Sequence, residues 1–106
     1  MSDQIRKVVV NDDYGSFSLS LECAAACGLE ITDTDREIGH VYNFDIARDC
    51  ADLVNYVEHY GSAAAGGKGS KLAIVEIPAD VKWFIYEQDG LEYVAEQHRI
   101  WCPKRD

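Results

Sequence analysis

The chain of 106 residues carries ten Lys and Arg against 19 Asp and Glu, a formal net charge of −9 at pH 7. This length predicts one domain, residues 1–106, which can bury roughly two-thirds of the surface of the unfolded chain. The negative charge predicts repulsion from nucleic acids and anionic membranes, so we expect direct binding to neither, and it favours a basic protein as the partner. A charge that serves only solubility is the alternative interpretation.

Membrane insertion and secretion are not predicted. No apolar run approaches the roughly 20 residues of a transmembrane helix, and the first seven residues lack the apolar stretch of a signal peptide. We therefore expect a soluble, cytoplasmic protein. Its cysteines are then expected to be free thiols: Cys23, Cys27, Cys50 and Cys102.

Local patterns predict a strand and a short helix in the first quarter of the chain. Residues 5–10 mix β-branched residues with two basic ones and indicate a strand. Ser20 is a favourable helix N-cap, and Glu22 suits the positive end of the helix dipole. The predicted helix covers residues 22–27 and ends at Gly28.

The middle of the chain combines an acidic stretch with a second helix. Residues 30–45 show no sustained period and are predicted as a loop with at most a brief strand near residues 40–44. Asp49 is predicted to cap a helix over residues 50–60. This helix presents one apolar stripe: Cys50, Leu53, Val54, Val57 and Tyr60.

Residues 71–101 contain the densest run of strand-forming residues and predict three antiparallel strands. Pro78 ends the first strand, because proline cannot donate a ladder hydrogen bond. Asp89-Gly90 predicts a tight turn between the second and third strands. Alternation in the second strand places Lys82, Phe84 and Tyr86 on one face. An exposed aromatic face of this kind marks a partner site or a dimer contact.

Together these elements predict an α+β fold. The N-terminal strand joins the C-terminal three-stranded meander in an antiparallel sheet of about four strands, and two short helices cover one face. The other face of the sheet is expected to stay free.

Two long segments stand out near the ends of the chain: RKVVVNDDYGSFSLS and KLAIVEIPADVKWFIYEQDGLEYVAEQHRIW. Both resemble a widespread family of small uncharacterised proteins from bacteriophage and prophage genomes. The likeness extends more loosely to Ala47-Arg48-Asp49 and the helix that follows, and the family has a second glycine where this chain has Ser16. The resemblance implies a phage origin, an infected bacterial cell as the setting and an accessory role against host defences. It implies no catalytic residue.

A loop and helix start after the first strand form a candidate ligand site. Backbone N–H groups at a helix start bind phosphates where a Gly- and Ser-rich loop lets the ligand approach. The candidate residues for a nucleotide or another phosphate are Tyr14, Gly15, Ser16, Ser18 and Ser20. The carboxylates of Asp12 and Asp13 would repel an anion at this site. The alternative interpretation is an ordinary capped helix without a ligand.

Neither a metal nor a cofactor is predicted. Cys23 and Cys27, together with a histidine, have the ligand types of a zinc site but lack paired C-x-x-C spacings. The spacing of three acidic residues resembles the start of a calcium-binding loop: Asp33, Asp35 and Glu37. The glycine and the final glutamate that such a loop requires are missing. Buried thiols and a solvated acidic loop are the preferred interpretations.

A catalytic role has two candidates. Glu96 and His98 share one face of the last predicted strand, as an acid–base pair would require. A cysteine nucleophile needs a nearby base, but Cys50 and His59 lie on opposite sides of their helix.

The leading hypothesis is a non-enzymatic phage protein that binds and inhibits a bacterial host protein, in part by imitating the charge of nucleic acid. A homodimer is considered as well. The alternatives are a nucleotide- or phosphate-binding protein and a small enzyme. The predicted partner-binding residues are Asp33, Asp35, Glu37, Phe84, Tyr86, Arg99 and Trp101.

Overall fold

The computed structural model describes residues 4–96 as ten short elements. The strands are β1 (Ile5–Asn11), β2 (Leu19–Ser20), β3 (His40–Val41), β4 (Leu72–Pro78), β5 (Trp83–Gln88) and β6 (Leu91–Glu96). The helices are α1 (Leu21–Ala26), α2 (Asp33–Ile38), α3 (Ala51–Tyr60) and α4 (Ser62–Ala65). Within residues 4–96, none of the helices combines the length and the apolar composition that crossing a bilayer requires.

Strand pairing is antiparallel throughout the described range, and the predicted α+β class is confirmed. β1 pairs with β4, β2 with β3, and β5 with β6. The strands are therefore divided among three two-stranded ladders within residues 4–96, where the sequence predicts one sheet of about four. β4 remains beside β1 to its end, where the Ala79 N–H donates to the Gln4 carbonyl at 3.1 Å. It does not turn back along β5 to form the predicted meander.

The core lies between the helices and one face of the β1–β4 ladder. Val9 of β1 and Leu72 of β4 share one cluster with Leu53 and Val57 of α3, and all four are buried. This burial removes apolar surface from water and is the main stabilising contribution to the fold. The remaining buried members are Phe17, Leu19, Cys23, Ala24, Val41, Val54 and Ala65.

The opposite face of this ladder is not bare. Val8 and Val10 alternate with Val9 along β1, and both are buried outside the helical cluster. β6 lies against β1, so the β5–β6 hairpin packs beside the ladder. The face of the ladder that was predicted to stay free is therefore buried at Val8 and Val10.

Two local predictions are confirmed by the backbone. Ser20 is the N-cap of α1, and its Oγ accepts a hydrogen bond from the Cys23 N–H at 3.1 Å. Asp89 and Gly90 both have positive φ, 54° and 90°, and reverse the chain between β5 and β6. Positive φ at both central residues is the requirement of a type I′ hairpin turn.

The predicted cap of the second helix is wrong. Cys50, not Asp49, occupies the N-cap of α3, and it makes no side-chain capping bond. The Asp49 carboxylate instead pairs with the Arg6 guanidinium at 2.5 Å, because a charged donor binds a carboxylate more strongly than a backbone N–H does. The predicted apolar stripe holds for Leu53 and its buried neighbours, but Tyr60 at its end is 59% exposed.

The prediction of a loop over residues 30–45 is wrong for its first half, which forms α2. The Thr32 Oγ1 accepts from the Asp35 N–H at 3.1 Å, and the Asp35 carboxylate accepts from the Thr32 N–H at 3.0 Å. This reciprocal capping box, with Gly39 left-handed at the other end, holds a short helix that has no apolar face. The expected brief strand is present as β3.

Candidate partner-binding site

Helix α2 carries three of the predicted contact residues. Asp33 and Glu37 are exposed, and no residue of α2 is buried. The Asp35 carboxylate has the additional role of closing the capping box. Arg36 lies 3.5 Å from Asp33, but both side chains are largely in water, so this ion pair adds little stability. α2 therefore presents its carboxylates to solvent.

Two aromatic side chains that the sequence analysis did not single out follow α2. Tyr42 is 49% and Phe44 is 65% exposed, and their rings stack with centroids 6.3 Å apart. The buried His40 ring meets Tyr42 edge-on at 4.7 Å. The Asn43 Oδ1 accepts from the Asp45 N–H at 2.9 Å, in the turn that carries Phe44. Large exposed apolar rings are thus held in a defined position.

We group the carboxylates of α2 with the two exposed rings that follow in the chain, and call this set the acidic–aromatic strip. Its signal in the sequence is Tyr42-Asn43-Phe44-Asp45, where two aromatic residues alternate with turn-forming ones shortly after an acidic segment. The strip comprises Asp33, Asp35, Glu37, Tyr42 and Phe44.

A cavity of about 380 Å³ separates Phe44 from the turn of the β5–β6 hairpin. Phe17 and Phe44 contribute aromatic walls, and Glu87 and Glu92 contribute carboxylates. Carboxylates beside aromatic rings favour a cationic group, through charge and through the negative faces of the rings. The cavity extends the acidic–aromatic strip toward the hairpin.

The predicted aromatic contact residues lie on a different surface. Phe84 and Tyr86 are 46% and 50% exposed on the outer face of the hairpin, where Tyr93 is 48% exposed. Tyr86 and Tyr93 are cross-strand partners with ring centroids 6.1 Å apart. The exposure expected from the alternation of β5 is confirmed, but the acidic residues of α2 belong to another element.

Beneath the two surfaces lies a buried polar cluster around Asn11. Its amide nitrogen donates to the carbonyls of Gly15 at 2.5 Å and Gly90 at 2.7 Å, while its Oδ1 accepts from the Ser70 hydroxyl at 2.8 Å. The Asn11 N–H donates to the Glu92 carboxylate at 2.8 Å. One side chain thus ties β1 to the hairpin turn, to the loop after β1 and to the segment before β4.

Arg48 completes this cluster. Its guanidinium donates to both carboxylate oxygens of Glu92, at 2.5 and 2.9 Å, and lies 3.5 Å above the centre of the Phe17 ring. The two charged side chains are only 11% and 8% exposed. Glu92 is therefore neutralised inside the protein, which leaves Glu87 as the carboxylate of the cavity without a cationic partner in the described range.

The predicted phosphate loop is engaged in internal contacts. The Gly15 backbone packs so closely against Gly69 that a Cβ at Gly15 would lie 2.1 Å from the Gly69 carbonyl oxygen. Ser20 uses its hydroxyl to cap α1, and Ser18 is buried. Tyr14 and Ser16 remain exposed. The structure does not bring the five candidate side chains together, and phosphate binding stays a prediction.

Ser18 and His40 are buried, and both approach Gly67 closely. A Cβ at Gly67 would lie 2.3 Å from Ser18 Oγ and 2.6 Å from His40 Cβ. The His40 Nδ1 accepts from the Lys68 N–H at 3.3 Å, so in the neutral ring the proton is on Nε2. In this tautomer both ring nitrogens of His40 are engaged, and neither is free to accept a proton from Ser18. His40 therefore does not have the arrangement of the histidine base in hydrolases with a serine nucleophile.

The cysteines of α1 have the character of core thiols. Burial raises the pKa of Cys23 to about 12 from its ordinary 9.0, with a further contribution from the adjacent Cys27. Burial also raises the pKa of Cys27. Cys23, Cys27 and Cys50 are free thiols. Because the thiolate is the nucleophile, raised pKa values lower the reactivity of both thiols of α1 at neutral pH.

Several predicted residues lie outside the described range, namely His98, Arg99, Trp101 and Cys102. Glu96, the proposed partner of His98, is exposed at the end of β6 and opposite Trp83. In the part of the chain that the structure describes, no group of three or more His, Cys, Asp or Glu side chains has the arrangement of a metal site.

The chain matches no family model, no curated protein and no solved structure. The resemblance to small phage proteins therefore stays a prediction.

Proposed function

We propose that this chain is a phage-encoded, non-enzymatic interaction protein that binds and inhibits a basic protein of the bacterial host through its acidic–aromatic strip. The observation that carries the proposal is that α2 buries none of its residues, so that its carboxylates face solvent, and that the exposed rings of Tyr42 and Phe44 follow shortly after it in the chain. The phage origin rests on the resemblance of the two end segments described above.

The two kinds of residue in the strip support different steps of binding. Carboxylates on α2 attract a positively charged surface over the Debye length, which raises the rate of encounter. Aromatic side chains supply contact area at a small cost in conformational entropy, as in the centres of many interfaces. The cavity between Phe44 and Glu87 has the chemistry to take one lysine or arginine side chain of the partner.

The distribution of ion pairs in the described range supports a basic partner. Arg6, Lys7, Arg36 and Arg48 each pair with a carboxylate, so more than half of the described cations are already engaged. The Glu37 carboxylate makes no ion pair or hydrogen bond within residues 4–96. Unpaired carboxylates are the groups that a basic partner can neutralise.

The experiment is a pull-down from bacterial lysate with the immobilised full chain, followed by competition with double-stranded DNA. A captured protein that is basic, that elutes as the salt concentration rises and that DNA displaces supports the proposal. Retention of no protein at low salt, where charge attraction is strongest, contradicts it.

A matched pair of variants locates the surface. Asp33→Asn/Glu37→Gln removes two charges from the strip and leaves the capping carboxylate of Asp35 intact, and it should reduce retention at least tenfold. Asp80→Asn/Glu96→Gln removes the same charge at exposed positions at the far end of the hairpin from its turn. Equal loss of binding in both variants would show that net charge, and not the strip, holds the partner.

A further inference from the structure

The outer face of the β5–β6 hairpin differs in composition from the rest of this acidic chain. The ladder register places three cross-strand pairs on it, and none of the six residues is charged. We call this set the hairpin face. It consists of Phe84, Tyr86, Gln88, Leu91, Tyr93 and Ala95.

The rings of the hairpin face form one apolar patch. Tyr86 and Tyr93 lie side by side, and Phe84 precedes Tyr86 on the same face. Each of the three side chains is about half exposed, which corresponds to roughly 300 Å² of aromatic surface if a large aromatic side chain has about 200 Å². A patch of this size on a small protein is commonly an interaction site.

The hairpin is only partly stabilised by the rest of the chain. No apolar residue of β5 or β6 is buried, and the hairpin is held mainly at its turn end, where the Glu92 side chain pairs with Arg48 and is 8% exposed. Isolated two-stranded hairpins are marginally stable in water and gain stability when a face is covered. A partner that packs on the hairpin face would therefore stabilise the hairpin itself.

Charge determines which occupant suits this face. Two copies of a chain with a net charge of −9 repel each other wherever their carboxylates meet. The uncharged hairpin face is a place where two copies can meet without opposing carboxylates. A basic partner, in contrast, finds no carboxylate there to neutralise.

We infer that the hairpin face is a homodimer contact, in which two copies pack face to face about a two-fold axis. Such an interface is self-complementary, because each residue meets the same surface of the other copy. Tyr86 and Tyr93, in the middle of the hairpin, then lie near the axis. The area is below that of a standard interface, so the dimer is expected to form only at high protein concentration.

Sedimentation velocity over a concentration series tests the dimer with the full chain. The 11.8 kDa monomer should shift toward twice that mass as concentration rises. Added salt should strengthen the dimer, because it screens repulsion between the two acidic copies. Salt weakens the proposed binding to a basic partner, so the two proposals respond in opposite directions. A monomer at every concentration and salt overturns the dimer.

Variants at Tyr86 locate the contact. Tyr86→Glu and Tyr86→Lys each place like charges near the two-fold axis, and each should weaken self-association at least tenfold. An equimolar mixture should regain a dimer of mixed composition, and this recovery also proves that both variants fold. Tyr60→Glu is the matched control, since Tyr60 is a tyrosine that is 59% exposed at the end of α3. Equal weakening by the control, or no recovery in the mixture, overturns the inference.

Discussion

Arg48 and Glu92 form a two-armed ion pair inside the protein, with N–O distances of 2.5 and 2.9 Å. The residues are 44 positions apart, and the pair joins the loop before α3 to the start of β6. Burial makes such a pair sensitive to the loss of one partner, because the other charge then has neither water nor counterion.

Glu92→Gln is expected to destabilise the protein by about 3–5 kcal/mol, because it leaves the Arg48 guanidinium buried without its carboxylate. Equilibrium denaturation with urea measures the change. The double variant Arg48→Met/Glu92→Gln should lose less than Glu92→Gln alone, since no charge remains buried and the Gln amide oxygen can still accept from the Asn11 N–H. Glu58→Gln is the control, because it breaks only the half-exposed pair with Lys7 and should leave the free energy of unfolding nearly unchanged.

Gly90→Ala is expected to lower the melting temperature more than Gly28→Ala does. Both glycines have positive φ, 90° and 78°, so each alanine carries the left-handed backbone cost of about 1–2 kcal/mol. At Gly90 the added Cβ also lies 2.1 Å from the Tyr14 carbonyl oxygen, whereas nothing lies within 4 Å at Gly28. Thermal unfolding followed by circular dichroism compares them. Equal melting temperatures would contradict the close contact between the hairpin turn and the loop after β1.

Thr32→Ala should open α2 without unfolding the protein. Loss of the capping hydroxyl costs about 1 kcal/mol, which corresponds to roughly fivefold faster amide exchange in α2. The change stays local because α2 buries no side chain in the core. Hydrogen exchange by NMR measures it at the Asp35 and Gly39 amides, whose acceptors are Thr32 and Asp35. Thr34→Ala, an exposed change within the same helix, should leave both rates nearly unchanged.

Stability should fall at alkaline pH in part through Cys23. Burial raises the folded-state pKa of this thiol to about 12, above its ordinary 9.0, so the unfolded chain loses the proton first. The contribution of Cys23 is therefore fully present below pH 9 and is lost as pH rises toward 12, with a slope of at most about 1.4 kcal/mol per pH unit.

Cys23→Ala isolates this contribution. The variant should be less stable at neutral pH, because a buried side chain becomes smaller, but its stability should fall less steeply above pH 9. Urea denaturation across this range gives both slopes. Parallel curves for the two proteins would show that the thiol titrates alike in the folded and unfolded states.

Features governed by neighbouring residues were predictable. The cap of α1 at Ser20 and the Asp89-Gly90 turn each depend on the backbone angles and hydrogen bonds of adjacent residues. The exposure of Phe84 and Tyr86 follows from the two-residue period of β5. The capping box of Thr32 and Asp35 was equally local, and was missed because α2 has no apolar period.

Only the tertiary structure decided the long-range partners. β1 pairs with β4, Asp49 binds Arg6 rather than capping α3, and Arg48 binds Glu92. Each of these pairings depends on which distant groups come together in the low-dielectric interior. A local sequence period does not show which groups those are. The same holds for the candidate site, because the tertiary structure brings Phe44 to a cavity that Glu87 and Gly90 of the distant hairpin also line.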